Sequence, residues 1–223
     1  MKKPRLLDLF CGAGGAAMGY HRAGFEVVGV DIKPQPHYPF EFHQADALIY
    51  PLEGFDAYHA SPKCELFSQC VHPHKLSKSI KAKNPDQITP IRAILETLCK
   101  PFVIENVPGS PLTNYVKLDG TMFGLTTIKE RWFECHLFEI PLLRTPPFNA
   151  DGLVKSGKFA GIMRHGKNSG ELTRREHLAV AYQIDWGMNR EELREAIPPC
   201  YTEYIGKYLM HAITPTLPLE ERK

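Results

Sequence analysis

Asp8-Leu9-Phe10-Cys11-Gly12-Ala13-Gly14-Gly15 closes a short apolar run that begins at Arg5, and Ala16 to Ala23, which follows, has helix-forming composition. That order predicts a strand, a tight glycine turn and a helix. A second apolar run, Phe25 to Val30, ends on Asp31. The three pieces make a βαβ unit, and hence a mostly parallel sheet whose strand C-termini are the usual place for a nucleotide.

Working outward, Phe55 to Ala60 and Phe102 to Ile104 are further strand candidates, each running into polar or proline-containing sequence. A helix is expected over Ile91 to Leu98. His72 to Pro90, rich in Lys, Pro and Ser without apolar periodicity, reads as a long loop, and Leu143 to Gly170 reads similarly. Helical composition returns from Leu172 to Leu209, with Thr173 and Glu176 spaced as a capping box and Glu191 and Glu192 opening a later turn.

The totals bound the function without choosing it. The 223 residues suit one α/β domain, and 27 Lys and Arg against 25 Asp and Glu neither demand nor exclude a polyanionic partner. No segment approaches the roughly 20 apolar residues of a membrane span. The opening residues do not read as a secretory leader, and the six scattered cysteines suit a reducing, cytoplasmic setting.

Glycines at the strand-to-helix turn let a ligand approach the backbone, and Asp31 at the end of the next strand can accept hydrogen bonds from both hydroxyls of a ribose. Asp46 is placed to meet an adenine amino group. Spacing alone leaves open a dinucleotide fold, since Gly12, Gly14 and Ala17 approximate its glycine pattern, and a purely structural turn.

Two further residues carry chemistry. Cys64 follows a strand in Ser61-Pro62-Lys63-Cys64-Glu65-Leu66-Phe67-Ser68, and the adjacent Lys63 favours the thiolate. A buried structural cysteine is the plainer alternative, and the spacing of Cys64, Cys70, His72 and His74 matches no zinc pattern, so no metal is expected. Glu105, in Val103-Ile104-Glu105-Asn106-Val107-Pro108, also ends a strand, where partial burial would keep a proton on the carboxyl. Capping a helix or pairing with a lysine is the plainer role for a single glutamate. Together, a thiolate and a proton donor at strand ends of one sheet could converge on a planar heterocycle.

The order of these motifs resembles the DNA (cytosine-5) methyltransferase family over most of the chain, as a short member. Asp8 to Gly15 is similar to the family's first motif, Phe25 to Asp31 to its second, and Asp46 to its third acidic position. Pro62, Cys64, Phe67 and Ser68 resemble its Pro-Cys-x-x-Phe-Ser signature, with Lys63 in place of a second proline. Glu105-Asn106-Val107 resembles its Glu-Asn-Val, and Lys129-Glu130-Arg131 its Arg-x-Arg. Leu172-Thr173-Arg174-Arg175-Glu176 and Ile197-Pro198-Pro199 with Ile205-Gly206 resemble its last motifs, although Arg194-Glu195 stand where Gly-Asn is usual.

The resemblance implies a Rossmann-like, S-adenosylmethionine-dependent methyltransferase fold with helices on both faces of the sheet. It implies that residues 1–223 form a single catalytic domain, with residues 135–171 as a reduced target-recognition insert. Phe10, Gly12, Gly14, Asp31 and Asp46 would hold S-adenosylmethionine, Cys64 would add to C6 of cytosine, Glu105 would act at N3, and Arg131 would contact O2. The partner would be DNA with the cytosine flipped out, and the enzyme a cytoplasmic monomer of restriction-modification or phage type. Lys75, Lys78, Lys81 and Lys83 would suit phosphates, or form a solvated run. Related expectations are the same chemistry on RNA or a free cytosine nucleotide, and a nucleic-acid-binding homologue impaired in catalysis. A Rossmann dehydrogenase would account for the glycine turn and Asp31 but not for Cys64, Glu105 or Arg131.

Overall fold

The glycine turn joins strand β1 (Arg5–Leu9) to helix α1 (Gly15–Arg22), and the chain returns beside β1 as the parallel strand β2 (Glu26–Asp31). The computed structural model describes residues 2–63, 85–144, 154–155 and 174–214. Further along lie β3 (Glu41–Gln44), β4 (Ala57–Ala60), α2 (Ile88–Glu96), β5 (Phe102–Asn106), β6 (Tyr115–Leu118), β7 (Thr127–Ile128), β8 (Arg131–His136) and β9 (Val154–Lys155). Three helices follow, α3 (Arg174–Tyr182), α4 (Arg190–Glu195) and α5 (Pro199–Ile213).

Seven strands form one sheet in the order β3-β2-β1-β4-β5-β8-β6. The first five are parallel, and β8 runs antiparallel to both β5 and β6. Strand order reverses between β1 and β4, which opens a crevice outside their C-terminal ends. Because β8 is antiparallel, its first residue, Arg131, reaches the same edge of the sheet as the last residues of β4 and β5.

Side chains alternate across the sheet and divide the core. Leu6, Val27, Ala57, Val103 and Phe133 pack against Ala16, Ala17 and Tyr20 of α1 and Tyr201, Ile205 and Leu209 of α5. Leu7, Leu9, Val28, Val30, Tyr58, Phe102 and Ile104 pack on the other face against Ile88, Ile91 and Leu95 of α2. Helices α1 and α5 approach closely: a Cβ on Gly19 would lie 2.0 Å from Thr202 Oγ1, and that hydroxyl donates to the Ala16 carbonyl at 2.8 Å.

The predicted first unit, the parallel sheet and the helices on both faces are all present. Helix α2 begins at Ile88, before the predicted Ile91, so residues 88–90 are helical and not loop. Pro90 is tolerated there because the first turn of a helix has no intrahelical acceptor for its N–H groups. The predicted turn at Glu191 and Glu192 is α4, capped reciprocally by Asn189 and Glu192. Thr173 lies outside the described residues, and so do most of the loops expected over 72–90 and 143–170. Among the described residues no helix is long and apolar enough to cross a membrane.

Candidate active site

At the first turn the backbone takes unusual conformations: Phe10 has φ 58°, Gly12 φ 50° and Gly14 φ 86°. Gly14 also needs the absence of a side chain, because a Cβ there would lie 2.6 Å from Pro39 Cδ. Gly12 does not, since nothing lies within 4 Å of where its Cβ would be. Its backbone therefore faces open space. The Gly12 N–H donates to Asp31 Oδ2 at 3.1 Å, and the Lys33 N–H to Asp31 Oδ1 at 2.9 Å. Each oxygen retains a free lone pair. Asp46 follows β3 and accepts from the Leu48 N–H at 3.0 Å. Phe10 is half-buried beside the core under α2.

The C-terminal segment closes over this turn. A Cβ on Gly15 would lie 2.4 Å from the Ile197 carbonyl oxygen, and Trp186 Nε1 donates to the Ala13 carbonyl at 3.2 Å. His37 lies 2.9 Å from Glu192, the residue that caps α4. The buried Lys129 ammonium donates to the Arg194 and Ala196 carbonyls and sits 4.4 Å from the centre of the Tyr182 ring.

A second group of side chains meets at the ends of β4, β5 and β8. Glu105 is buried, with Oε1 3.1 Å from Arg131 Nε. That approach lacks the alignment of a hydrogen bond, so Oε1 has no hydrogen-bond partner among the described residues. Burial raises the Glu105 carboxyl above its ordinary pKa, opposed by Arg131, the Ser61 hydroxyl and Lys129. The neighbouring Asn106 donates to the Pro62 carbonyl at 2.8 Å and accepts from the Val107 N–H. The backbone two residues before Cys64 is thereby tied to the end of β5, while Cys64 itself lies outside the described residues.

Of the eight site residues expected from the sequence, Gly12 and Asp31 are in direct contact, and so are Glu105 and Arg131. Two buried polar residues in the same strands escaped sequence reasoning. Asp8 is inaccessible, its Oδ1 has no partner among the described residues, and Tyr38 Oη reaches its Oδ2 only at 3.5 Å. Burial first, and Asp31 second, hold its pKa well above normal. His59 is equally inaccessible. The signal for both was the same, a polar residue interrupting an apolar strand just before it ends.

No protein-family model and no curated protein matches the sequence. Among solved structures, the Entamoeba histolytica methyltransferase EhMeth matches with a TM-score of 0.60 at 14% identity, covering 96% of this chain and 100% of that chain. Looser matches include a candidate DNA modification methyltransferase encoded within a prophage of E. coli (TM-score 0.45, 21% identity, 59% of this chain and 46% of that one). Another is the S. pombe Dnmt2 methyltransferase (TM-score 0.43, 16% identity, 60% and 48%). The matched part spans about half the length of each of these two chains. The likeness to EhMeth and the seven-stranded sheet with its antiparallel β8 show that the chain has the Rossmann-like methyltransferase fold.

Proposed function

We propose that this chain transfers a methyl group from S-adenosylmethionine to C5 of cytosine in DNA through a covalent Cys64–C6 adduct. The observation that carries the reading is the Glu105–Arg131 pair at 3.1 Å, beside the Pro62 backbone that leads into Cys64. A buried carboxyl and a guanidinium at one edge suit the N3 and O2 edge of a pyrimidine, where one donates a proton and the other stabilises the carbonyl.

The first turn fits the cofactor. Asp31 has lone pairs free for two ribose hydroxyls, Gly12 presents open backbone, and the unpartnered Asp8 Oδ1 can accept from an ammonium group. Ile32 follows Asp31 directly and is 58% exposed, an apolar surface for a purine ring that Phe10 could flank. Gly14 shapes the turn, and Asp46 would accept from the adenine amino group. When bound, S-adenosylmethionine supplies the methyl group.

The Cys64 thiolate attacks C6, Glu105 delivers a proton to N3, and Arg131 holds O2, so that electron density accumulates at C5. Once the methyl group is on C5, a base takes the C5 proton, the Cys64–C6 bond breaks and N3 returns its proton to Glu105, which regenerates the enzyme. In duplex DNA the cytosine must leave the stack first. Residues 135–171 serve as the reduced recognition insert of a single domain, and the enzyme acts as a monomer.

Tritium transfer from labelled S-adenosylmethionine to cytosine-containing duplex DNA, beside Cys64→Ala, tests this. Label that disappears in the variant supports the mechanism, and label retained in the variant refutes it. Label entering only tRNA or dCMP would move the same chemistry to those substrates.

A further inference from the structure

Beneath Glu105 runs a chain of buried polar contacts for which the reaction above has no use. Tyr20 Oη of α1 lies 2.9 Å from His59 Nδ1, and His59 Nε2 lies 2.8 Å from Ser61 Oγ. Ser61 comes directly after β4, and because Ala60 pairs with Ile104 it stands beside Glu105, whose carboxyl pKa its hydroxyl helps to lower. Tyr20 and His59 have no accessible surface.

The protons in this chain have one satisfactory arrangement. His59 is the hydrogen-bond partner of Tyr20 Oη among the described residues. If His59 carried its proton on Nδ1, Tyr20 would have to accept, and its own hydroxyl proton would be buried without an acceptor. If Nδ1 accepts from Tyr20, the His59 proton sits on Nε2 and goes to Ser61 Oγ. Ser61 is then left with its own proton to give, and the neighbouring carboxyl of Glu105 can accept it. A doubly protonated ring would need a counter-charge at either nitrogen, and its two contacts are neutral hydroxyls; burial pushes its pKa down to about 3.

We propose that Tyr20, His59 and Ser61 form a one-way hydrogen-bond chain that positions Glu105, with His59 neutral and its proton on Nε2. Ser61 then donates to the carboxyl group whether or not Glu105 is protonated. The exchangeable proton is left to the carboxyl oxygen that Ser61 does not occupy. His59 and Ser61 are positioning residues, and the inference rests on the reading of Glu105 as the group that meets the ring. The charged and titratable groups facing Glu105 are Arg131 of β8, Lys129 just before it, Asp8 of β1 and Tyr20 of α1.

Two measurements on the full chain test it. Two-bond proton–nitrogen correlation of the His59 ring should show the Nε2–H tautomer, unchanged from about pH 5 to about pH 8. An Nδ1–H tautomer, a mixture, or a titration in that range overturns the proposal. Ser61→Ala should lower kcat roughly 10- to 100-fold with KM for DNA and cofactor little changed. It should also move the limb of the pH profile on which Glu105 loses its proton to higher pH, because a hydrogen bond that favours the carboxylate is gone. Ser61→Thr, which keeps the hydroxyl, should restore both. A Ser61→Ala enzyme with an unshifted profile overturns the chain. Wild-type protein that transfers no methyl group to DNA, tRNA or dCMP would refute the functional reading, and the tautomer measurement would still decide the direction of the chain.

Discussion

Arg131 Nε stands 3.1 Å from Glu105 Oε1, although the two lie 26 positions apart in sequence and come from strands of opposite direction. Arg131 is the chief influence holding the Glu105 carboxyl down against its burial. Removing Arg131 therefore has two consequences, loss of a contact to the base and a further rise in the Glu105 pKa. Arg131→Ala should reduce single-turnover methyl transfer about 10²- to 10⁴-fold with unchanged cofactor affinity. Arg131→Lys should recover little, because a point charge does not replace a planar fork of donors. Full activity in Arg131→Lys would remove the guanidinium from the mechanism.

A glycine of helix α1 and one of the first turn separate stability from binding. A Cβ on Gly19 would sit 2.0 Å from Thr202 Oγ1 and 2.2 Å from the Pro199 carbonyl oxygen, so Gly19→Ala must force α1 and α5 apart. Its cost should be at least about 2 kcal/mol in chemical denaturation. Gly12→Ala meets nothing within 4 Å and pays only for its φ of 50°, about 1 kcal/mol. Its main effect should be weaker binding of S-adenosylmethionine, measured by calorimetry. Unchanged affinity in Gly12→Ala would mean that the open backbone is not where the cofactor lies.

Much of this frame was legible in the sequence, and the limits of that legibility have physical causes. The apolar runs of β1 and β2 and the glycines between them encode local structure, and so the first unit was readable. Strand β8 was not: Arg131-Trp132-Phe133-Glu134-Cys135-His136 has no apolar run. Glu134 is nonetheless buried, paired with Arg92 of α2 at 2.7 Å. A distant partner makes that strand viable, and no window along the chain contains both. The same holds for the site. Glu105 and Arg131 could each be named from a motif, but their contact depends on β8 reversing direction, and Asp8 and His59 looked like interruptions of apolar strands.

Asp31 should matter to the cofactor through more than charge. Its two oxygens already hold the Gly12 and Lys33 N–H groups, which fixes the turn before any ligand arrives. Asp31→Asn should therefore disturb that geometry as well as weaken ribose hydrogen bonds, with a combined loss of roughly 1.5–3 kcal/mol in S-adenosylmethionine binding. The melting temperature without ligand should fall only slightly, because the site is partly exposed. If affinity is retained while stability falls, Asp31 is a structural brace alone.

The buried His59 ring makes acid stability a readable property of the core. The unfolded chain takes up a proton at this residue as pH falls below about 6.5, while the folded ring resists until about 3. Between those values the unfolded state binds more protons, so stability falls with falling pH, by about 1.4 kcal/mol per unit from this residue alone. Asp8 and Glu105 act in the opposite sense: both carboxyls hold their protons to higher pH when folded, so acidification restores stability at those two sites. Wild type alone would report the sum. Urea titrations of wild type and His59→Gln from about pH 7 to about pH 4 isolate the histidine, because the two carboxyls are common to both proteins. The variant should be less stable at neutral pH, having lost the Tyr20 contact, yet lose stability less steeply on acidification. Parallel slopes for the two proteins would show that His59 is protonated inside the fold and would end the case for a neutral ring beneath Glu105.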